Sequence, residues 1–394
     1  MTAEEFRTVD RADVYKAGRL AASLDRSTGP TRFSYLPGYV ADGGPAVATT
    51  LPLSNEAVVT SPGSLPPFLA GLLPEGRRLT AIRMVVKTSP DDEFSVLLAV
   101  GRDMVGDVQV VPIGENPGGT DVASHPSAGW HDVVFSDLFA RAVGADPDRT
   151  AIAGVQDKVS DRMIALPFDD AFGHWILKLD PPEFGHLVLN EAFFLDKARR
   201  AGIKTVAAAV VTDSTGAHGL KVQRFDRDGD RRLAVEDGCQ ALGLYPADKY
   251  RTSTESLIRT LARICSAPTV ATYEMFRMWV FAYLTGNGDL HAKNLSVVWD
   301  PSGRISPAYD LPSTFFYGDT TMALSVHGST TVSKRSITEL IDAIGLPPAA
   351  ASRVLDEVSE SVLGWVDHPD GLPFSKQQLT RFARFVTLRL RTTQ

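Results

Sequence analysis

Residues 286–294, Gly286-Asn287-Gly288-Asp289-Leu290-His291-Ala292-Lys293-Asn294, form a dense polar stretch between two apolar segments. Upstream, Thr272 to Leu284 predicts a strongly apolar helix; downstream, Leu295 to Trp299 predicts a buried strand. Polar residues this crowded between two buried elements are hard to explain by packing, since buried polar groups are costly unless partnered. The spacing of Asp289 and Asn294, Asp-x-x-x-x-Asn, is that of a kinase catalytic loop. There the Asp accepts the proton of the acceptor hydroxyl and the Asn ligates Mg²⁺. Alone the spacing is a weak signal, because an Asp and an Asn so placed arise by chance about once in a chain of this size.

The chain that follows strengthens it. Asp300-Pro301-Ser302-Gly303 is a turn, after which the sequence returns through Ile305 to Ala308-Tyr309-Asp310. Residue 302, midway between 294 and 310, lies inside that turn, so antiparallel pairing predicts Asn294 beside Asp310. An amide oxygen next to a carboxylate suits Mg²⁺, which keeps waters and phosphate oxygens as its other ligands. Taken singly, Asp289 reads equally as a turn cap, and Asp310, ahead of Pro312, as the start of another turn. His291 reads as a structural, hydrogen-bonded histidine or as an acid–base group.

Lys178 lies inside the apolar run Trp175-Ile176-Leu177-Lys178-Leu179, bounded by Gly173 and Pro181, which predicts a buried strand. An ammonium there needs an anion. Asn190 is a candidate N-cap for a helix running to Arg200. On that helix Glu191 shares an apolar face with Phe194, Leu195 and Ala198. A strand Lys paired with an inward helix Glu is how protein kinases hold the α- and β-phosphates. The plainer alternative is an edge-strand Lys with its head in water and a Glu placed to suit the helix dipole. Just upstream, Ile152 to Lys158 is neither a Walker loop nor a Gly-x-Gly-x-x-Gly loop; physically it is a turn whose N–H groups and Lys are available to phosphates.

With 394 residues, 44% hydrophobic and 22% charged, the chain is an ordinary globular protein of two or three domains. Its net charge of -7 argues against broad contact with a nucleic-acid backbone. Cys239 and Cys265 cannot build a disulfide framework, the first residues lack the apolar core of a signal peptide, and no apolar run is long enough to span a bilayer. A cytoplasmic protein without a membrane partner is expected. Strand and turn signals dominate residues 1–125, followed by a small β-rich lobe over 126–238 and a mainly helical lobe over 239–394. A site between the last two lobes is expected, because clefts favour domain junctions.

The pieces Ile152 to Lys158, Trp175 to Leu179, Asn190-Glu191, Gln223 to Arg227, Glu236 to Gly243, Gly286 to Asn294 and Ala308 to Ser313 resemble, in order, the HipA-like serine/threonine kinases. These are the toxin halves of bacterial type II toxin–antitoxin pairs. Leu65 to Gly76 and Val100 to Gly106 are similar to the family's N-terminal domain. The resemblance implies an α+β, two-lobed, protein-kinase-like fold related to the phosphoinositide 3/4-kinases, with a strand-rich N-terminal subdomain and a mainly helical C-terminal lobe. It implies ATP and Mg²⁺ as cofactors, Asp289 as catalytic base, Asn294 and Asp310 as metal ligands, and Lys178, paired with Glu191, as the phosphate lysine. Ala153, Gly154, Val155, Gln156, Asp157 and Lys158 would form the loop over ATP. Glu236, Asp237 and Gly238 would be the hinge that binds adenine through backbone groups, and His291 and Tyr309 would flank the site. The implied partners are a protein substrate, with aminoacyl-tRNA synthetases known as targets in the family, and a helix-turn-helix antitoxin of HipB type through which DNA is reached indirectly. One departure stands out. Many relatives carry an autophosphorylated Ser where this chain has Ala151, so such control is not expected unless the neighbouring Thr150 substitutes. Rival readings are a small-molecule or lipid kinase on the same lobes, and a catalytically idle partner of a DNA-binding protein. Intact Lys178, Asp289, Asn294 and Asp310 speak against idleness.

Overall fold

The structure, a computed structural model, describes residues 3–118, 123–124, 129–138, 163–170, 172–181 and 183–393. Five antiparallel strands open the chain: β1 (Arg11–Lys16), β2 (Arg19–Asp25), β3 (Pro30–Tyr35), β4 (Val58–Pro62) and β5 (Val108–Pro112), in the order β4-β3-β2-β1-β5. Alternating burial along β1 puts Ala12 and Val14 in the core, as a sheet covered on one side requires. Between β3 and β5 come α1 (Pro37–Ala41), α2 (Pro67–Gly71), α3 (Gly76–Val86) and α4 (Glu93–Val100). They cover the sheet with Phe68, Leu69, Phe94 and Leu97 against Leu24 and Phe33. Pro67 starts α2 at a position where its missing N–H costs nothing, and the Asp92 carboxylate caps α4 by accepting from Ser95 N.

The second sheet holds β6 (Ala123–Ser124), β7 (Ile164–Asp170), β8 (Gly173–Leu179), β9 (Ala208–Thr212) and β10 (His218–Gln223), ordered β6-β7-β8-β10-β9. β8, the Lys178 strand, pairs with β7 on one side and β10 on the other, so Lys178 is not on an edge. The helix that follows, α5 (Leu187–Arg200), starts earlier than the sequence signal at Asn190 suggests. The Asp180 carboxylate accepts from His186 N at 2.8 Å and Val188 N at 2.7 Å, and so takes the capping role from outside the helix. Asn190 is instead buried within α5, where it clamps Ser313 by donating to its carbonyl at 3.0 Å and accepting from its N–H at 2.8 Å.

A two-stranded ribbon, β11 (Arg227–Asp228) and β12 (Arg231–Arg232), leads into a small sheet of β13 (Ala234–Asp237), β14 (Ser296–Trp299) and β15 (Gly303–Ile305). After the short α6 (Gly238–Ala241), the remainder is helical: α7 (Thr254–Ile264), α8 (Pro268–Thr285), α9 (Lys334–Ile344), α10 (Pro348–Val366) and α11 (Lys376–Thr393). α8 is apolar nearly all round because neighbouring elements enclose it, with Met275, Phe276, Val280 and Phe281 in the main core. Gly286 ends it in the left-handed region at φ 70°, a conformation glycine adopts at little cost, and turns the chain into the polar stretch. Among the described residues no helix is long and apolar enough to cross a membrane.

Candidate active site

The polar stretch is buried, and its groups are partnered largely by one another. Asp289 is fully buried; its N–H donates to Asn287 Oδ1 at 2.8 Å and its Oδ1 accepts from the Tyr250 hydroxyl at 2.8 Å. A single 3₁₀ turn, Ala292–Asn294, brings Asn294 round so that its Nδ2 donates to the Asp289 carbonyl at 2.8 Å. That bond commits the amide nitrogen and leaves Oδ1, the end able to ligate a cation, for the cleft.

Lys178 reaches from β8 to Glu191 Oε1 at 2.6 Å, to the Tyr309 carbonyl at 3.2 Å and to Asp310 Oδ1 at 3.6 Å. Burial pulls the ammonium's pKa down, but Asp310 and Glu191 outweigh it and hold the pKa above the ordinary value. Burial, helped by Asp310, pushes Glu191 up despite Lys178. Two carboxylates around one ammonium leave the cluster short of positive charge. Among the described residues Asp310 Oδ1 is buried without a hydrogen-bond partner.

The hairpin turn is centred one residue earlier than expected, which moves each cross-strand partner by two residues. Val297 pairs with Ile305, Val298 with Arg304 and Trp299 with Gly303, centring the turn on 301. Pro307, with no N–H, ends the ladder, and Ala308 crosses to pair with Lys204 and Val206. Asp310 therefore reaches the site from beyond the hairpin. It still joins Asn294 and Lys178 in the wall of one cavity of about 370 Å³, together with Asp237, His291, Lys293 and Tyr309. Ile176, Val222, Phe225 and Val235 give that cavity an apolar side. Asp289 does not line it, but Asn294, which does, bonds the Asp289 backbone carbonyl through its side chain. Another hollow, about 540 Å³ between α7, α8 and the end of α9, offers Arg259 and Arg263 but, among the described residues, no carboxylate.

The other expected residues fall out as follows. Ala153 to Lys158 lie outside the described residues, as do Thr150 and Ala151. In the expected hinge, Asp237 N–H donates to Gln240 Oε1 at 2.9 Å and Gly238 N–H to the Leu295 carbonyl at 2.9 Å, so both donors are engaged within the protein. The Glu236 carboxylate turns away from the cavity and accepts from Thr49 N and Thr49 Oγ1, at 2.8 and 2.6 Å. Asp237 stays in the wall, where burial pushes its pKa up to about 6. Burial, reinforced by Lys249, holds His291 neutral, well below the usual histidine range; its ring lies edge-on to Tyr250 at 5.0 Å. Tyr309 stacks on Phe225 and hydrogen-bonds Ser296 and the Lys293 carbonyl.

Sequence reasoning missed Tyr250, Lys249 and Glu75. Lys293 was visible in the motif, but nothing local signalled its partner. Among the described residues no three His, Cys, Asp or Glu side chains converge as a metal cluster. A metal held by Asn294 and Asp310 would take its remaining ligands from phosphates and water, which fits Mg²⁺ better than a transition metal.

A family model described as the HipA N-terminal domain matches residues 12–111, and one described as the HipA-like C-terminal domain matches residues 150–366. Y4dM of Sinorhizobium fredii, a kinase by name, is 33% identical over 76% of this chain and 75% of its own length. The serine/threonine-protein kinase toxin HipA of Shewanella oneidensis is 27% identical, again over 76% of this chain and 75% of its own. A solved structure of Shewanella oneidensis MR-1 HipA, in complex with HipB and its operator DNA, superposes with a TM-score of 0.71 at 22% identity, covering 97% of this chain and 96% of that one. The likeness establishes the α+β fold, strand-rich at the N-terminus and helical at the C-terminus. Matched by the family's own models in both halves, and by a relative at 33% identity across three-quarters of its length, this chain belongs to the HipA-like family of kinase toxins.

Proposed function

We propose that this protein is an ATP- and magnesium-dependent serine/threonine protein kinase, the toxin of a toxin–antitoxin pair. The observation that carries the reading is Lys178 held between Glu191 and Asp310 in a cavity wall that Asn294 shares. In that reading Lys178 meets the α- and β-phosphates, and the loop of Ala153 to Lys158 covers them. The base rests against the apolar side made by Ile176, Val222 and Val235, beside the Glu236–Gly238 hinge, with His291 and Tyr309 flanking. Asn294 and Asp310 are the metal ligands; magnesium, when bound, would neutralise charge on the phosphates. Tyr250 holds the Asp289 carboxylate in one orientation to take the acceptor's proton. As the acceptor oxygen bonds to the terminal phosphorus, its O–H bond breaks toward Asp289 and the bond to the bridging oxygen breaks. Lys178 offsets the charge left on that oxygen.

The acceptor in this reading is a protein hydroxyl, with an aminoacyl-tRNA synthetase the first to test. The Shewanella oneidensis structure contains HipB and operator DNA. It supports a helix-turn-helix antitoxin of HipB type here, with DNA contacted through that partner, and the net charge of -7 agrees.

Labelled ATP tests the chemistry. Asp289→Asn should lower phosphoryl transfer by about 10²- to 10⁴-fold while magnesium–nucleotide binding by calorimetry is retained. Transfer at the wild-type rate would remove Asp289 from the role of base.

A further inference from the structure

We propose that Glu75, from the N-terminal domain, is a positioning residue of the phosphoryl-transfer site, holding Lys293 and Lys249 against the catalytic loop. The inference rests on the kinase reading above and extends it to a domain with no role assigned so far. Glu75 Oε1 lies 2.6 Å from Lys293 Nζ, and Oε2 lies 2.6 Å from Lys249 Nζ. Lys293 also donates to the Gly71 carbonyl at 3.1 Å. It sits between His291 and Asn294, and all three line the cavity, as Glu75 does. Lys249 belongs to the same turn of structure, because its carbonyl accepts from Ala292 N at 3.2 Å. One carboxylate therefore grips two ammonium groups, one on the loop that carries Asp289 and Asn294 and the other on the segment hydrogen-bonded to that loop.

Removing that carboxylate leaves two buried like charges facing each other. Asp237, which also lines the cavity, is the other carboxylate acting on Lys293. Lys293 would then swing toward it and carry with it the backbone that presents Asn294. A displacement of about 1 Å at such a ligand is enough to cost on the order of a hundredfold in rate.

A plain domain anchor would look different. The N-terminal domain is already tied to the kinase body by Thr49 on Glu236, by Gln240 Nε2 on the Phe68 carbonyl, and by the Arg77–Glu183 ion pair. None of these touches the catalytic loop. The approach that leads to Glu75 is tight: a Cβ on Gly71 would lie 2.7 Å from Gln240 Cγ, so the end of α2, four residues before Glu75, packs directly on α6.

Steady-state kinetics on the full-length protein, reading total release and transfer of labelled γ-phosphate from magnesium–ATP, tests the assignment. Glu75→Gln should lower kcat about tenfold or more with KM for ATP within about threefold. Glu75→Asp, which keeps the charge but shortens the reach, should fall between it and the wild type. Glu183→Gln, which removes a neighbouring interdomain ion pair, should leave both constants unchanged. Wild-type kcat in folded Glu75→Gln overturns the proposal, and so does an equal loss in Glu183→Gln. Should Glu75→Gln not fold, Glu75→Asp decides: wild-type kcat there overturns it too. A wild-type protein that neither binds nor turns over magnesium–ATP would instead sink the kinase reading itself, which the variants alone cannot do.

Discussion

Asp237 is a carboxylate buried in the cavity wall that also caps α6, its side chain accepting from Gln240 N at 2.8 Å. Burial raises its pKa from 3.8 to about 6, the backbone bond and Lys293 offsetting only part of the cost. A carboxylate raised by folding favours the folded state below its unfolded pKa, and that contribution is lost as pH rises through the folded value. Asp237→Asn, which keeps the cap, should therefore gain stability relative to the wild type between about pH 4 and 6.5, by on the order of 2–3 kcal/mol. Urea midpoints across that range check it, and a constant difference would contradict it. Tyr250 is the matching case for chemistry. Tyr250→Phe removes a hydrogen bond to a charged group, of about 1.5–3 kcal/mol, and should lower kcat by about tenfold with nucleotide affinity kept. Calorimetry beside kinetics separates the two; a loss confined to affinity would contradict the orienting role. The spacing of Asp289 and Asn294 was legible because both lie on one short loop. Tyr250 and Glu75 were not, because they reach that loop from distant sequence: Glu75 is 174 residues from Lys249.

Elements were legible where periodicity or apolar runs marked them, as with β8 and α8, and misplaced where a cap or a break comes from outside the element. α5 shows why. An Asn followed by an apolar helical face is a start signal, yet the donors at the true start are taken by Asp180, and Asn190 serves a tertiary bond. The hairpin shows the same limit, since a turn centred one residue early changes what lies opposite Asn294 and Pro307 ends the ladder before Asp310. The Asn190–Ser313 clamp joins the Glu191 helix to the segment just after Asp310. Asn190→Ala leaves a buried N–H and carbonyl on Ser313 without that side chain and should destabilise by about 2–4 kcal/mol. It should also weaken nucleotide binding, since Glu191 is the next residue. Chemical denaturation and calorimetry read the two effects. Full stability in the variant would show the clamp to be dispensable.

At the scale of the molecule, the cavity has walls from three regions: Leu72, Arg78 and Met104 before the second sheet, Ile176 and Lys178 within it, and Asn294 and Asp310 after it. Asp103 ties the first region to the rest through Arg224 and Arg227, at 2.8 Å to each. A ligand filling the cavity touches all three, so its binding energy stabilises the whole fold rather than one lobe. With free ligand at about a hundred times Kd, the gain is about 2.7 kcal/mol. The cation's share should depend on Asp310, whose buried Oδ1 lies 3.6 Å from the Lys178 ammonium and has no hydrogen-bond partner among the described residues. A nonhydrolysable ATP analogue with magnesium should therefore raise the melting temperature by a few degrees as one transition. Asp310→Asn should abolish the magnesium-dependent part and keep what the nucleotide alone supplies through Lys178 and the apolar wall. An equal magnesium effect in that variant would place the ion elsewhere, and a shift confined to one of two transitions would show that the three walls do not act together.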